Sequence, residues 1–243
     1  MATGYINEQQ ILIARGSVKG AQVRNIFGYQ ESGSTSLRAA WEFAADYVYP
    51  GSAITMTVTS ADAADNGKLL KIVGLDGSYV PLEETITING GGDINTSNQF
   101  FRINDVILLT GTTNAGLITI QNTAKTVKYA GIRAGDGRNQ ASVYTVPRDH
   151  EFYLYRIDAF SSDSTAAKPA IFRNFSKNDS GQEYITSRTT FLGNMNIRRQ
   201  LPFKYSEKTD IQLQLATNSG THELSVSAEG TLLNKPRLSA IQN

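Results

Sequence analysis

Apolar and polar residues alternate along most of the chain, in short runs closed by Gly, Asn, Asp or Pro. Residues 53–60 are the clearest case: Ile54, Met56 and Val58 fall on one face, and Thr55, Thr57 and Thr59 on the other. A period of two predicts a half-buried strand, and β-branched threonine suits the solvated face of a sheet. The same reading predicts strands over 11–14, 22–29, 68–73, 84–89, 100–110, 116–122 and 126–133. A second series follows over 141–146, 151–160, 170–176, 183–191, 196–205, 210–216 and 222–233. The runs recur roughly every 10 to 16 residues, without the helical stretches that a βαβ fold needs between its strands. Residues 36–46 read two ways: a helix capped by Ser36 with Leu37, Ala40, Trp41 and Ala44 as its apolar stripe, or an extended stretch through Trp41, Phe43, Tyr47 and Tyr49.

This rhythm predicts an all-β chain of two β-sandwich, jelly-roll-like domains with short or no helices. Dense punctuation at Gly135-Asp136-Gly137 sets the expected boundary: an N-terminal sandwich over 1–135 and a C-terminal one over 136–243. The polar start, residues 1–13, is expected to form an arm, and 90–98 and 161–168 to form solvent-facing loop tips.

Composition narrows the function. Hydrophobic residues make up 40%, enough for a real core. A net charge of +1 gives no electrostatic case for nucleic acid or an anionic membrane. The absence of cysteine removes disulfides, thiolate nucleophiles and cysteine-type metal sites. Apolar runs such as Val106-Ile107-Leu108-Leu109 are too short to span a bilayer, and the first ten residues carry no basic n-region or apolar h-region. These features predict a soluble protein made in a cytoplasm without export.

Candidate chemistry is sparse. His150 and His222 each sit at a loop-to-strand edge, and no H-x-x-x-H or H-E-x-x-H spacing occurs. No G-x-S-x-G accompanies the serine turns at Gly33-Ser34-Thr35 and Gly51-Ser52-Ala53. Gly90-Gly91-Gly92-Asp93-Ile94-Asn95 lacks the lysine of a phosphate loop, and Gly135-Asp136-Gly137 reads better as a turn than as an anion nest. Asp62, Asp65 and Asp76 supply too few oxygens for calcium. No catalytic, cofactor-binding or metal residues are therefore assigned, and the chain is read as a non-enzyme. Two features point to contacts instead. Arg198-Arg199, with Lys204 and Lys208 nearby, suits an electrostatic contact with a neighbouring subunit. Tyr144, Phe152, Tyr153 and Tyr155, expected around one hairpin, suit core packing or a sugar-stacking platform.

The order of short motifs adds a resemblance. Ala14-Arg15-Gly16-Ser17-Val18-Lys19-Gly20-Ala21 leads to Asn25-Ile26-Phe27-Gly28, then to a tryptophan-to-tyrosine stretch over 41–49. Ser60-Ala61-Asp62-Ala63-Ala64-Asp65, Val73-Gly74-Leu75-Asp76-Gly77-Ser78-Tyr79 and Glu83-Glu84-Thr85-Ile86-Thr87-Ile88-Asn89-Gly90 follow. Matches continue at 100–104, 116–120, 144–147 and 207–211, while 30–36 departs from the pattern. In this order the chain resembles the virion structural proteins of tailed, mostly marine, bacteriophages. The resemblance implies a structural role, with no cofactor. Capsid decoration is the first reading, on the shell exterior and in contact with the major capsid protein and copies of itself, a trimer being one option. A tail, neck or fibre component is the second, and a carbohydrate-binding module meeting a host surface glycan the third. The implied location is the virion, after synthesis in the host bacterial cytoplasm.

Overall fold

In the computed structural model, residues 8–163, 168–218 and 222–235 are described. The period-two alternation becomes strand throughout. The first group is β1 (Ala21–Gln30), β2 (Arg38–Ala39), β3 (Ile54–Ser60), β4 (Leu69–Leu75), β5 (Pro81–Thr87), β6 (Asp93–Phe100), β7 (Arg102–Leu108), β8 (Ile118–Asn122) and β9 (Lys128–Ile132). The second is β10 (Val143–Thr145), β11 (His150–Ser161), β12 (Ala170–Lys177), β13 (Glu183–Phe191), β14 (Asn194–Tyr205), β15 (Asp210–Thr217) and β16 (Leu224–Asn234). All the pairings between them are antiparallel.

The strands form two sandwiches, each with its own core. In one, the sheet β6-β3-β8-β9 faces β5-β4-β7 across Met56, Val58, Leu70, Ile72, Phe100 and Ile120. In the other, β1-β16-β11-β14 faces β10-β15-β12-β13 across Phe152, Leu154, Phe172, Leu213, Leu215 and Val226. A cut at residue 135 parts β3–β9 from β10–β16, but β1 and β2 fall on the wrong side of it. β1 pairs along its whole length with β16, and β2 pairs with β15, so the chain enters the second sandwich, leaves to build the first, and returns. Alternation reveals that a segment is a strand and is silent about its partner.

Four local expectations are revised. Residues 11–14 are helical, within α1 (Glu8–Ala14). Gly16, at φ 74°, ends this helix: its N–H donates to the Ile13 carbonyl and that of Ser17 to the Leu12 carbonyl, both at 2.9 Å, which is a Schellman closure. The remaining part of the expected arm, residues 1–7, lies outside the described residues. The expected loop over 90–98 is mostly strand. Its polar sequence hides the inward residues Thr96 and, beyond it, Phe100, and 96–98 bulge out of the ladder with β3 between the Thr57–Asn95 and Thr55–Gln99 pairs. The expected tip over 161–168 begins inside β11, and its residues 164–167 lie outside the described residues. Finally, 36–46 is not a helix. After β2 the chain runs irregularly, because Trp41, Phe43, Tyr47 and Tyr49 make successive edge-to-face contacts at 4.9, 5.0 and 5.0 Å centroid separation. Ala39, Ala141 and Val143 complete this small third core.

This aromatic strap lies over β15, all eight of whose residues are buried. Ser142 ties the layers together: its Oγ accepts from the Ala40 N–H and donates to the Leu213 carbonyl. β1 passes so close that a Cβ on Gly28 would stand 2.4 Å from the Ser142 Cβ and 2.5 Å from the Ala40 carbonyl oxygen, so only glycine fits there. A bidentate ion pair joins the sandwiches. Arg102 of β7 donates from Nε and Nη2 to the Asp210 carboxylate of β15, at 2.8 and 2.9 Å, with both side chains about nine-tenths covered. Removing one partner of such a pair strands the other charge. Arg102→Ala is expected to cost about 3–5 kcal/mol, read as a lower midpoint in denaturant unfolding.

Candidate functional site

The residues nominated for chemistry are scattered and serve the fold. His150 Nδ1 lies 2.7 Å from the Arg148 carbonyl in a turn where Asp149 has φ 61°. His222 accepts the Gly33 N–H on its carbonyl oxygen at 2.9 Å. Asp76 caps its own turn, accepting from the N–H groups of Ser78 and Val80. Asp62 caps the short 3₁₀ turn Ala63–Asp65 by accepting from the Ala64 N–H. Among the described residues, no three His, Asp or Glu side chains gather where a metal ion could be held. No described helix is long and apolar enough to cross a membrane.

Asp65 is a wholly buried carboxylate that fastens this turn to the loop before β8. It accepts from Ser60 Oγ at 2.6 Å, Lys68 Nζ at 2.8 Å, and the N–H groups of Ala115 and Gly116 at 2.7 and 3.0 Å. Burial alone would raise its pKa, but Lys68, Ser60 and the two amides hold the carboxyl well below the usual carboxylate range. A depressed folded pKa contributes stability that is fully present above the unfolded value and is lost as pH falls from there through the folded pKa. Asp65→Asn is therefore expected to cost about 1–3 kcal/mol at neutral pH, and the two proteins' stability curves should converge below about pH 4.

Glu42, in the strap, behaves oppositely. Its Oε1 accepts the Gln140 N–H, while Oε2 is buried with no partner. Burial pushes its pKa up to about 7, against the opposing pull of the Gln140 N–H and Arg133. A raised carboxyl pKa favours the fold at acid pH, and that stability is lost as pH rises through the folded pKa. Glu42→Gln is expected to melt higher than the natural chain at pH 8, with the gap closing between about pH 7 and 4.5, checked by thermal unfolding across pH.

The aromatic set does not make a platform. Tyr144 and Phe152 are buried in the core, and burial raises the Tyr144 pKa to about 12. Tyr153 and Tyr155 point to the other face of β11. Nor is there one hairpin, since β10 pairs with β15, and β11 with β14 and β16.

What the structure does present is an exposed surface on β13 and β14, successive strands that form edges of two different sheets. Between their ends lies an open cleft bordered by Tyr184, Ile185, Phe203 and Tyr205. Ile185 is 55% exposed and Leu201 86%. Leu201 stands on an excursion of β14: Leu154 pairs with Phe203 and Arg156 with Arg198, so 199–202 bulge out opposite Tyr155 alone. Of the basic residues nominated here, Lys204 pairs with Glu151 and Lys208 with Asp179. Arg198 and Arg199, like Arg188 on β13, have no acidic partner among the described residues. Sequence reading found the two arginines but missed Leu201 and Ile185, whose exposure depends on which strands end up at an edge.

No protein-family model and no curated protein matches the chain. Among solved structures it is similar to that of infectious bursal disease virus Gx strain, at 10% identity over 89% of this chain and 72% of that one, with a TM-score of 0.27. The STIV MCP matches at 8% identity over 90% and 100%, with a TM-score of 0.24. The PBSX exported protein XepA matches at 9% identity over 86% and 86%, with a TM-score of 0.19. Likenesses this weak carry no argument about function.

Proposed function

We propose that this chain is a phage virion structural protein, and within that class a capsid decoration protein acting through protein–protein contacts on the shell exterior. The ordered motifs from Ala14 to Ile211 support the virion reading. The structural observation that supports a contact role is the β13–β14 surface, where apolar side chains stand beside unpaired arginines. Arginine and tyrosine are among the residues that carry most of the energy of protein interfaces, and here Arg188, Arg198 and Arg199 stand on the same two strands as exposed Tyr184, Ile185 and Leu201. On this reading the major capsid protein is the partner, the particle is assembled in the host cytoplasm, and the net charge of +1 fits a position away from the genome.

Mass spectrometry of purified virions tests the class, and densitometry against the major capsid protein tests the location. Decoration requires a copy number on the order of hundreds, set by closed symmetric assembly on a shell. A count in the low tens would instead favour the tail, neck or fibre reading, and absence from the particle would overturn both.

A further inference from the structure

β13 is nine residues long and, among the described residues, pairs with a strand along one side only, β12. A long bare edge is a template for another strand, and natural edges are commonly blunted by proline, lysine or a bulge. β14 is blunted in this way by Pro202 and its excursion. β13 contains neither proline nor lysine; a one-residue bulge at Thr186 interrupts its ladder with β12, and Tyr184, Ile185, Thr186, Thr189 and Thr190 give it high strand propensity.

Its charges have a particular order. Glu183 lies opposite Lys177 of β12, Ile185 opposite Phe175, and Arg188 opposite Arg173. The extra residue, Thr186, shifts the alternation, so Glu183, Ile185 and Arg188 share the outer face of the sheet despite their odd spacing. Running the strand antiparallel to a copy of itself then sets Glu183 opposite the partner's Arg188, twice about one axis. Within one chain, Arg188 faces Arg173, and like charges directly opposed on antiparallel strands are destabilising. The partner's Glu183, which within its own chain ion-pairs with Lys177 at 3.3 Å, then comes to lie directly opposite Arg188.

We propose that two copies of this chain join edge to edge through β13, antiparallel about a twofold axis between Ile185 and Thr186, so that the sheet β10-β15-β12-β13 continues across the dimer. The same register places Tyr184 opposite the partner's Ser187, with the Thr186 bulges of both copies at the axis. The contact is isologous, so each interaction occurs twice. It stands apart from the virion reading: a particle-bound protein that never dimerises overturns the pairing alone, and a dimer absent from particles overturns the virion role alone.

Sedimentation of the full chain across the micromolar range reads the association. The natural chain is expected to show a concentration-dependent dimer. Arg188→Glu sets glutamates against each other twice and should weaken it about tenfold or more. Adding Glu183→Arg to that variant reverses both charges and should restore it. The chain has no cysteine, so introduced thiols report the register directly. Tyr184→Cys mixed with Ser187→Cys should cross-link on oxidation, and Tyr184→Cys alone should not; this arm does not depend on the charge variants folding. A monomer at all concentrations, a double reversal that fails to restore the dimer, or cross-linking by Tyr184→Cys alone would overturn the proposal.

Discussion

The structure turns on the placement of one arginine. Arg102 stands at the start of β7, in the first sandwich, and its guanidinium meets the carboxylate of Asp210 at the start of β15, in the second. Burying two charges is costly, and the attraction offsets that cost only when geometry and hydrogen bonding are nearly complete. Here they are. Arg102 also donates from Nη1 to the Pro50 and Phe101 carbonyls, Thr145 Oγ1 donates to Asp210 Oδ1 at 2.6 Å, and the guanidinium stacks 3.9 and 4.6 Å from the rings of Phe101 and Tyr49. Opposing burial, the Asp210 hydrogen bonds raise the arginine's pKa, so it stays charged. A bidentate pair fixes orientation as well as distance, and this one sets how the two sandwiches meet.

The strap follows from that pair. Pro50 and Tyr49, which touch Arg102, end the same aromatic series that begins at Trp41 and covers β15. Phe43 extends the cover to the first sandwich, lying so close to Gly131 of β9 that a Cβ there would stand 2.7 Å from its ring. The strap thus touches both units, and Glu42 lies in the middle of it. Its buried, half-satisfied carboxylate is a local weakness in an otherwise well-bonded junction, which ties the junction's stability to pH.

The chemistry of the chain is spent inside. Asp65, Asp76 and Asp62 look in sequence like loop residues available to a ligand, yet each is engaged in closing or fastening a turn. Turn residues read alike whether they bind a ligand or their own backbone. The outward chemistry is instead apolar and cationic, and it collects on β13 and β14, two sheet edges to which no further strand pairs among the described residues.

Sequence by itself determined the all-β class, the position of most strands and the inward rows of their cores, because a period of two is a local property that each segment carries alone. It also marked Gly16 and Gly28, though not why each is glycine. Tertiary structure decided the rest. The pairing of β1 with β16 joins residues about 200 positions apart, the fold of 36–46 rests on aromatic contacts rather than helix propensity, and the exposure of Ile185 and Leu201 depends on where their sheets stop. Strand propensity is set by which neighbours a pleated surface meets. Those neighbours come from distant parts of the chain, and only the folded arrangement brings them together.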